Sequence, residues 1–216
     1  TGVLAVQTLT TNVTGHFAFF AEELIKHNYS AAITFFIFTI FFLLGAFTSN
    51  FLAELVSIKK PHLLHVIPIS LEIVILTSVG FFGTAANLST LDGKIMAFAM
   101  LFAMGIQNSL VTKISQSTVR TTHLTGLFTD LGIELSQLFF YKKQNESKRL
   151  KANISLRFSI ISFFFIGCIL GGYIYTYLDM KTLFVGAFVL LIALMYDSIR
   201  LQFLSIKRKK YSNNTS

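Results

Sequence analysis

The chain has no tryptophan, one cysteine, two prolines and ten acidic residues in 216 positions. Each shortage excludes something. A lone Cys168 builds neither a disulfide nor a thiolate metal site. With prolines only at 61 and 68, nothing else of that kind interrupts long helices. Charged residues make up 13% of the chain, about half the share usual in soluble domains, which argues against a water-soluble fold. No nucleophile elbow, P-loop, HExxH or dinucleotide fingerprint occurs, so no motif supports an enzyme, and no cofactor or metal is expected. His62 and His65 lie three apart, but they lack further ligands for a metal site.

What is abundant is apolar. Hydrophobic residues make up 53% of the chain, with 24 phenylalanines and a mean hydropathy of +0.66. Residues 28–53, 73–91, 95–112 and 158–178 contain no Asp, Glu, Lys or Arg. Runs of about 20 such residues span a bilayer as helices. Five spans are expected, at roughly 30–55, 63–86, 94–114, 153–178 and 181–204, with 1–9 read as the end of a truncated one. Pro68 should kink the second or mark its first turns. The net charge of +8 does not point to nucleic acid. Its clusters (Lys142, Lys143, Lys148, Arg149, Lys151 and Arg157, then 207–210) flank apolar spans, where Lys/Arg excess marks the cytoplasmic side. The expected partner is the lipid bilayer. The C-terminus and its basic tail, 205–216, are expected to be cytoplasmic, with Asp179–Lys181 outside, and a homo-oligomer is left open.

A repeat organises these spans. Residues 10–24 and 121–135 agree at seven of fifteen positions at a constant offset of 111, sharing the pattern Thr-Thr-x-x-Thr-Gly. The single membrane domain, 1–216, therefore divides into an N-terminal repeat, 1–88, and a C-terminal repeat, 94–204. Loop charges place both ends of the second Thr/Gly element on one side. Such an element is re-entrant or broken, tolerated only within protein or beside a cavity. The expected fold is all-α: a polytopic helical membrane protein of two three-helix repeats, each with a broken or re-entrant Thr/Gly helix element. Three crossings per unit favour inverted repeats; full crossings by the Thr/Gly elements would make them parallel.

Candidate site residues cluster in these elements. A helix starting near the glycine points unpaired N–H groups inward, where they hold anionic groups. Thr11, Asn12, Thr14 and Gly15, with Thr122, His123, Thr125 and Gly126, are expected to line a substrate pocket, joined by Gln107 and Asn108. If helical, Thr11 and Thr14, like Thr122 and Thr125, share a face; the plainer role of such hydroxyls is helix capping. Asp130 and Glu134 lie i,i+4, and Glu72 stands alone in an apolar span. Carboxylates at membrane depth are costly and commonly couple protons or ions, which is the role expected of these three. Glu23 repeats Glu134 but lies beside Glu22 and Lys26, where solvation explains it. Asp197 and Arg200 are expected to form a local pair.

The strings Gly2-Val3-Leu4-Ala5-Val6, Asn12-Val13-Thr14-Gly15, the Glu72 span, Met104-Gly105-Ile106-Gln107-Asn108-Ser109-Leu110 and Arg120-Thr121-Thr122-His123-Leu124-Thr125-Gly126-x-x-Thr129-Asp130-Leu131 resemble the bacterial YoaK-like integral membrane protein family, over nearly the whole chain. The resemblance implies a multi-pass protein of the bacterial inner membrane and no particular activity, since the family is described as a domain of unknown function. Residues and resemblance together predict a secondary transporter or exporter of a small molecule, proton-coupled through the acids. Alternatives are an ion or solute channel of the same architecture and a non-transporting membrane scaffold or partner protein.

Overall fold

The computed structural model describes residues 2–6, 8–59, 64–83, 90–115, 122–140 and 144–196. Expectations for His62, residues 84–89 and 119–121, Asp197, Arg200 and the tail 205–216 concern positions outside these. The described residues are helical apart from short connections. The helices are α1 (Gly2–Val6), α2 (Val13–Ile25), α3 (Tyr29–Lys59), α4 (Val66–Phe82), α5 (Leu91–Ile114), α6 (Leu124–Phe140) and α7 (Gln144–Leu178), followed by a 3-10 turn at Asp179–Lys181. A last helix, α8, occupies 182–196.

Three described stretches are long and apolar enough to cross a membrane: Tyr29–Ile58, Leu91–Ile114 and Glu146–Tyr196. The last is two helices in sequence, because Asp179 adopts φ 52 and breaks the hydrogen-bond ladder between α7 and α8. Asp tolerates this left-handed conformation better than most residues. Two expectations need correction. Residues 144–151, expected as a charged loop, form the first turns of α7, where Glu146, Lys148, Arg149 and Lys151 are helix-compatible residues on a surface. The second span is shorter than 63–86: α4 has 17 residues and ends where Gly83 turns extended. Pro68 sits in its first turn, where a missing N–H costs nothing.

Side-chain contacts give the helix directions. The ring of Phe98 lies 5.1 Å from that of Phe38 and 4.6 Å from that of Phe41, and Glu54 pairs with Lys113 at 2.8 Å. Helices α3 and α5 therefore run parallel. Val79 near the end of α4 shares a core with Met96 near the start of α5, so α4 returns antiparallel. Met180 and Leu183 join that same core. Helix α7 thus finishes at the end of the molecule where α3 and α5 begin, and runs opposite to both. Each long helix also forms an antiparallel hairpin with the short helix before it. In α2–α3, the rings of Phe19 and Phe35, and of His16 and Phe38, meet at a tilt; in α6–α7, Asp130 and Glu134 meet Arg157.

The closest approach in the bundle is backbone to backbone. A Cβ placed on Gly45 would overlap the Phe102 carbonyl oxygen, and one on Gly105 would overlap the Phe42 carbonyl oxygen. The contact is reciprocal: each helix offers a glycine to the peptide group three residues before the other's glycine. Apolar helices gain little by hiding from lipid, so small residues that admit close packing decide which faces meet. Gly132, by contrast, faces open space. Gly45→Ala and Gly105→Ala should each lower stability by about 1–3 kcal/mol through overpacking. Gly132→Ala should leave it unchanged or raise it by up to about 1 kcal/mol, the helix-propensity gain. Thermal unfolding of the purified variants in one detergent checks both signs.

Candidate functional site

The site is built around the first residues of α2 and α6. Before α2, the chain from Thr8 to Asn12 is irregular, with Thr8 and Thr10 buried. His16, fully buried, donates through Nε2 to the Leu9 carbonyl, which fixes the ring as the Nε2–H tautomer because a carbonyl only accepts. The ring sits beside Phe35 and Phe38. Asn12 caps α2, its side-chain oxygen accepting from Gly15 N at 3.0 Å. At the start of α6 the corresponding position holds His123, whose carbonyl accepts from Leu127 N at 3.1 Å. A Cβ on Gly126 would strike the His123 imidazole. Glycine in the first turn of α6 therefore lets His123 fold back over the helix end, while Gly15 makes room for Leu9.

Both starts open on one cavity of about 320 Å³. Residues 11–14 line one wall, and Thr122 and His123 line another. Asn108, Thr112 and Phe42 complete it from α5 and α3. Thr122 donates from its hydroxyl to the Asn108 side-chain oxygen at 2.8 Å, tying the start of α6 to α5. Because α2 runs antiparallel to α3, and α6 antiparallel to the oppositely directed α7, the two short helices leave the cavity in opposite directions. The lining is rich in hydroxyl, carboxamide and imidazole groups. Among the described residues that line it there is no Asp, Glu, Lys or Arg. Such a site offers hydrogen-bond donors and acceptors to a small polar molecule, and two sets of helix-start N–H groups.

Most of the sequence-predicted pocket residues are brought together here: Thr11, Asn12, Thr14, Asn108, Thr122 and His123. Four do not line it. Gly15 and Gly126 lie in the first turns behind the caps. Thr125 is exposed, its carbonyl accepting from Thr129, and Gln107 is half-buried on α5. Thr11 and Thr122 precede their helices, so the expected shared helix faces with Thr14 and Thr125 do not form; both pairs begin one turn too early. Phe42 and Thr112 were missed. Thr112 follows Asn108 by four residues on a helix, a spacing that could have revealed it.

The acids lie elsewhere. Arg157 on α7 donates through Nη1 to Asp130 at 2.7 Å and through Nε to Glu134 at 2.8 Å. Glu134 is nearly buried and Asp130 half-exposed. One guanidinium thus holds two carboxylates one helical turn apart, a use of its fork that lysine cannot reproduce. Arg157, read from sequence as the last member of a cytoplasmic cluster, is the missed residue; the antiparallel α6–α7 hairpin puts it across from both acids. In the first hairpin Glu23, which matches Glu134, instead meets Lys26 at 3.4 Å and Asn28 at 2.7 Å near an exposed turn. There Glu22, hydrogen-bonded at 2.6 Å, raises the Lys26 ammonium above its usual pKa. Glu72 is buried in α4, away from the cavity lining, and its Oε2 has no partner among the described residues. No cluster of three His, Cys, Asp or Glu able to hold a metal occurs among the described residues.

Compared with known proteins, residues 1–196 match the family described as Protein of unknown function (DUF1275), in keeping with the YoaK-like resemblance of the sequence. No curated protein and no solved structure matches the chain. For the arginine clasp, Arg157→Met should cost about 1–3 kcal/mol, reduced from the fully buried case by the partial exposure of Asp130. The double variant Arg157→Met/Glu134→Met should recover most of that loss, since it removes the stranded carboxylate along with its partner. Thermal unfolding of wild type, both single variants and the double variant gives the coupling.

Proposed function

The chain belongs to the DUF1275 family, and we propose that it is a small-molecule transporter whose substrate binds in the cavity between the starts of α2 and α6. The observation that carries this reading is the convergence of residues 11–14 with Thr122 and His123 on one polar cavity inside an otherwise apolar helical protein. Discontinuous helices whose N-terminal ends meet at mid-membrane are a transporter design, and they come from inverted repeats. Supporting that arrangement here, α2 begins at Val13 and α6 at Leu124, the same offset of 111 that relates the two sequence copies. Also supporting it, α3 and α7 run in opposite directions. In this reading each short helix is the re-entrant element of its unit. A polar lining in a membrane protein is costly unless it serves a solute.

Within the proposal, Thr11, Asn12, Thr14, Asn108, Thr112, Thr122 and His123 contact substrate. Asp130 and Glu134 hold α6 to α7 through Arg157. The Thr122–Asn108 hydrogen bond closes the cavity wall between the hairpin and the bundle, and is the contact that substrate passage would have to rearrange. Protein reconstituted into liposomes should show saturable flux of at least one member of a panel of radiolabelled sugars, amino acids, carboxylates and amines. Thr122→Val should reduce that flux roughly tenfold, the order of one lost hydrogen bond in a site, while its melting temperature falls by only a few degrees. Unchanged flux in Thr122→Val, or no saturable flux of any panel member by wild type, would sink the proposal.

A further inference from the structure

Resting on the transport reading, we infer that the substrate carries a small oxyanion, a carboxylate or a sulfate-like group, and that His123 supplies the positive charge that holds it. The described lining offers hydroxyl and carboxamide donors from Thr11, Asn12, Thr14, Asn108 and Thr112, and among the described residues no carboxylate that would repel an anion. Among the described lining residues, His123 is the side chain that can change charge. Histidine does so between about pH 5 and 8. The comparison within the chain is informative. At the matching position before α2 stands Asn12, whose side-chain oxygen is taken by the capping bond from Gly15 N and whose amide carries no charge. The two walls therefore differ, with a neutral cap on one side and an ionisable ring on the other.

The ionisable groups on the packed elements do not compete for this role. On α2, His16 is bound to the Leu9 carbonyl beside two phenylalanines, and Glu22, Glu23 and Lys26 cluster together at the far end of the helix. On α3 and α5, Glu54 and Lys113 neutralise each other at 2.8 Å. On α6, Asp130 and Glu134 are neutralised by Arg157 of α7. A cation would find no counter-charge among the described lining residues. An anion would find donors on every wall and, once His123 is protonated, a full charge.

The test uses the purified full chain with lactate, sulfate, glycerol and choline as probes, reading thermal unfolding at about pH 5.5 and about pH 8. Lactate and sulfate keep their charge across that range, so any change with pH belongs to the protein. Lactate or sulfate should raise the melting temperature more at the lower pH, with glycerol and choline inert. His123→Asn places at the start of α6 the residue that caps α2, and should melt like wild type without probe. It should bind the anion roughly tenfold more weakly at the lower pH and lose the pH response, as expected for one charge-assisted hydrogen bond. Stabilisation by glycerol or choline but not by the anions overturns the anion assignment while leaving a small-molecule cavity, and with it the transport reading, in place. Anion binding unaltered in His123→Asn overturns the role of His123. No shift with any probe overturns the assignment altogether, and the flux assay then decides the transport reading separately.

Discussion

The contact between the backbones of α3 and α5 at Gly45 and Gly105 is what the remaining geometry is measured from. In lipid, apolar side chains gain little by meeting one another, and dispersion at close range together with small residues selects the interface. Once Gly105 lies against Phe42, the same face of α5 continues through Asn108 and Thr112, three and seven residues further on. Those two polar side chains are thereby set beside Phe42 and the first residues of α2. The width of the cavity follows from the glycine crossing. A bulkier residue at either position would push Asn108 away from Thr122 as well as separating the two helices.

The apolar runs were legible because charge-free stretches long enough to span a bilayer have few other uses. Two of these runs became the parallel helices α3 and α5, which end on the same side of the molecule. The residues of the cavity were largely legible too. A Thr-Gly pattern written twice marks helix starts, and helix starts are where backbone donors go unpaired. What the sequence concealed was pairing across a distance. Asp130 and Glu134 read as free membrane acids because their partner, Arg157, lies 27 and 23 residues away. Only the antiparallel return of α7 brings it back. Similarly, α6 begins only at Leu124, which leaves Thr125 exposed on the helix rather than in the pocket.

The cavity shows how two near-copies of a segment acquire different duties. Asn12 and His123 occupy matching positions, and both are followed three residues later by glycine, so the local backbone requirement is the same. The side chains differ in what remains available once the helix end is covered. The carboxamide oxygen accepts from Gly15 N and the group stays neutral, whereas an imidazole has two nitrogens and a variable charge.

The two hairpins also differ in what clasps them. Aromatic rings join α2 to α3, through Phe19 with Phe35 and Phe20 with Phe36, whereas a guanidinium between two carboxylates joins α6 to α7. Ring contacts are indifferent to dissolved salt, while a half-exposed ion pair weakens as salt screens it. Rising salt therefore weakens the Arg157 clasp while the ring contacts between α2 and α3 persist, and the salt in the surrounding water becomes a dial on the grip that α7 keeps on α6.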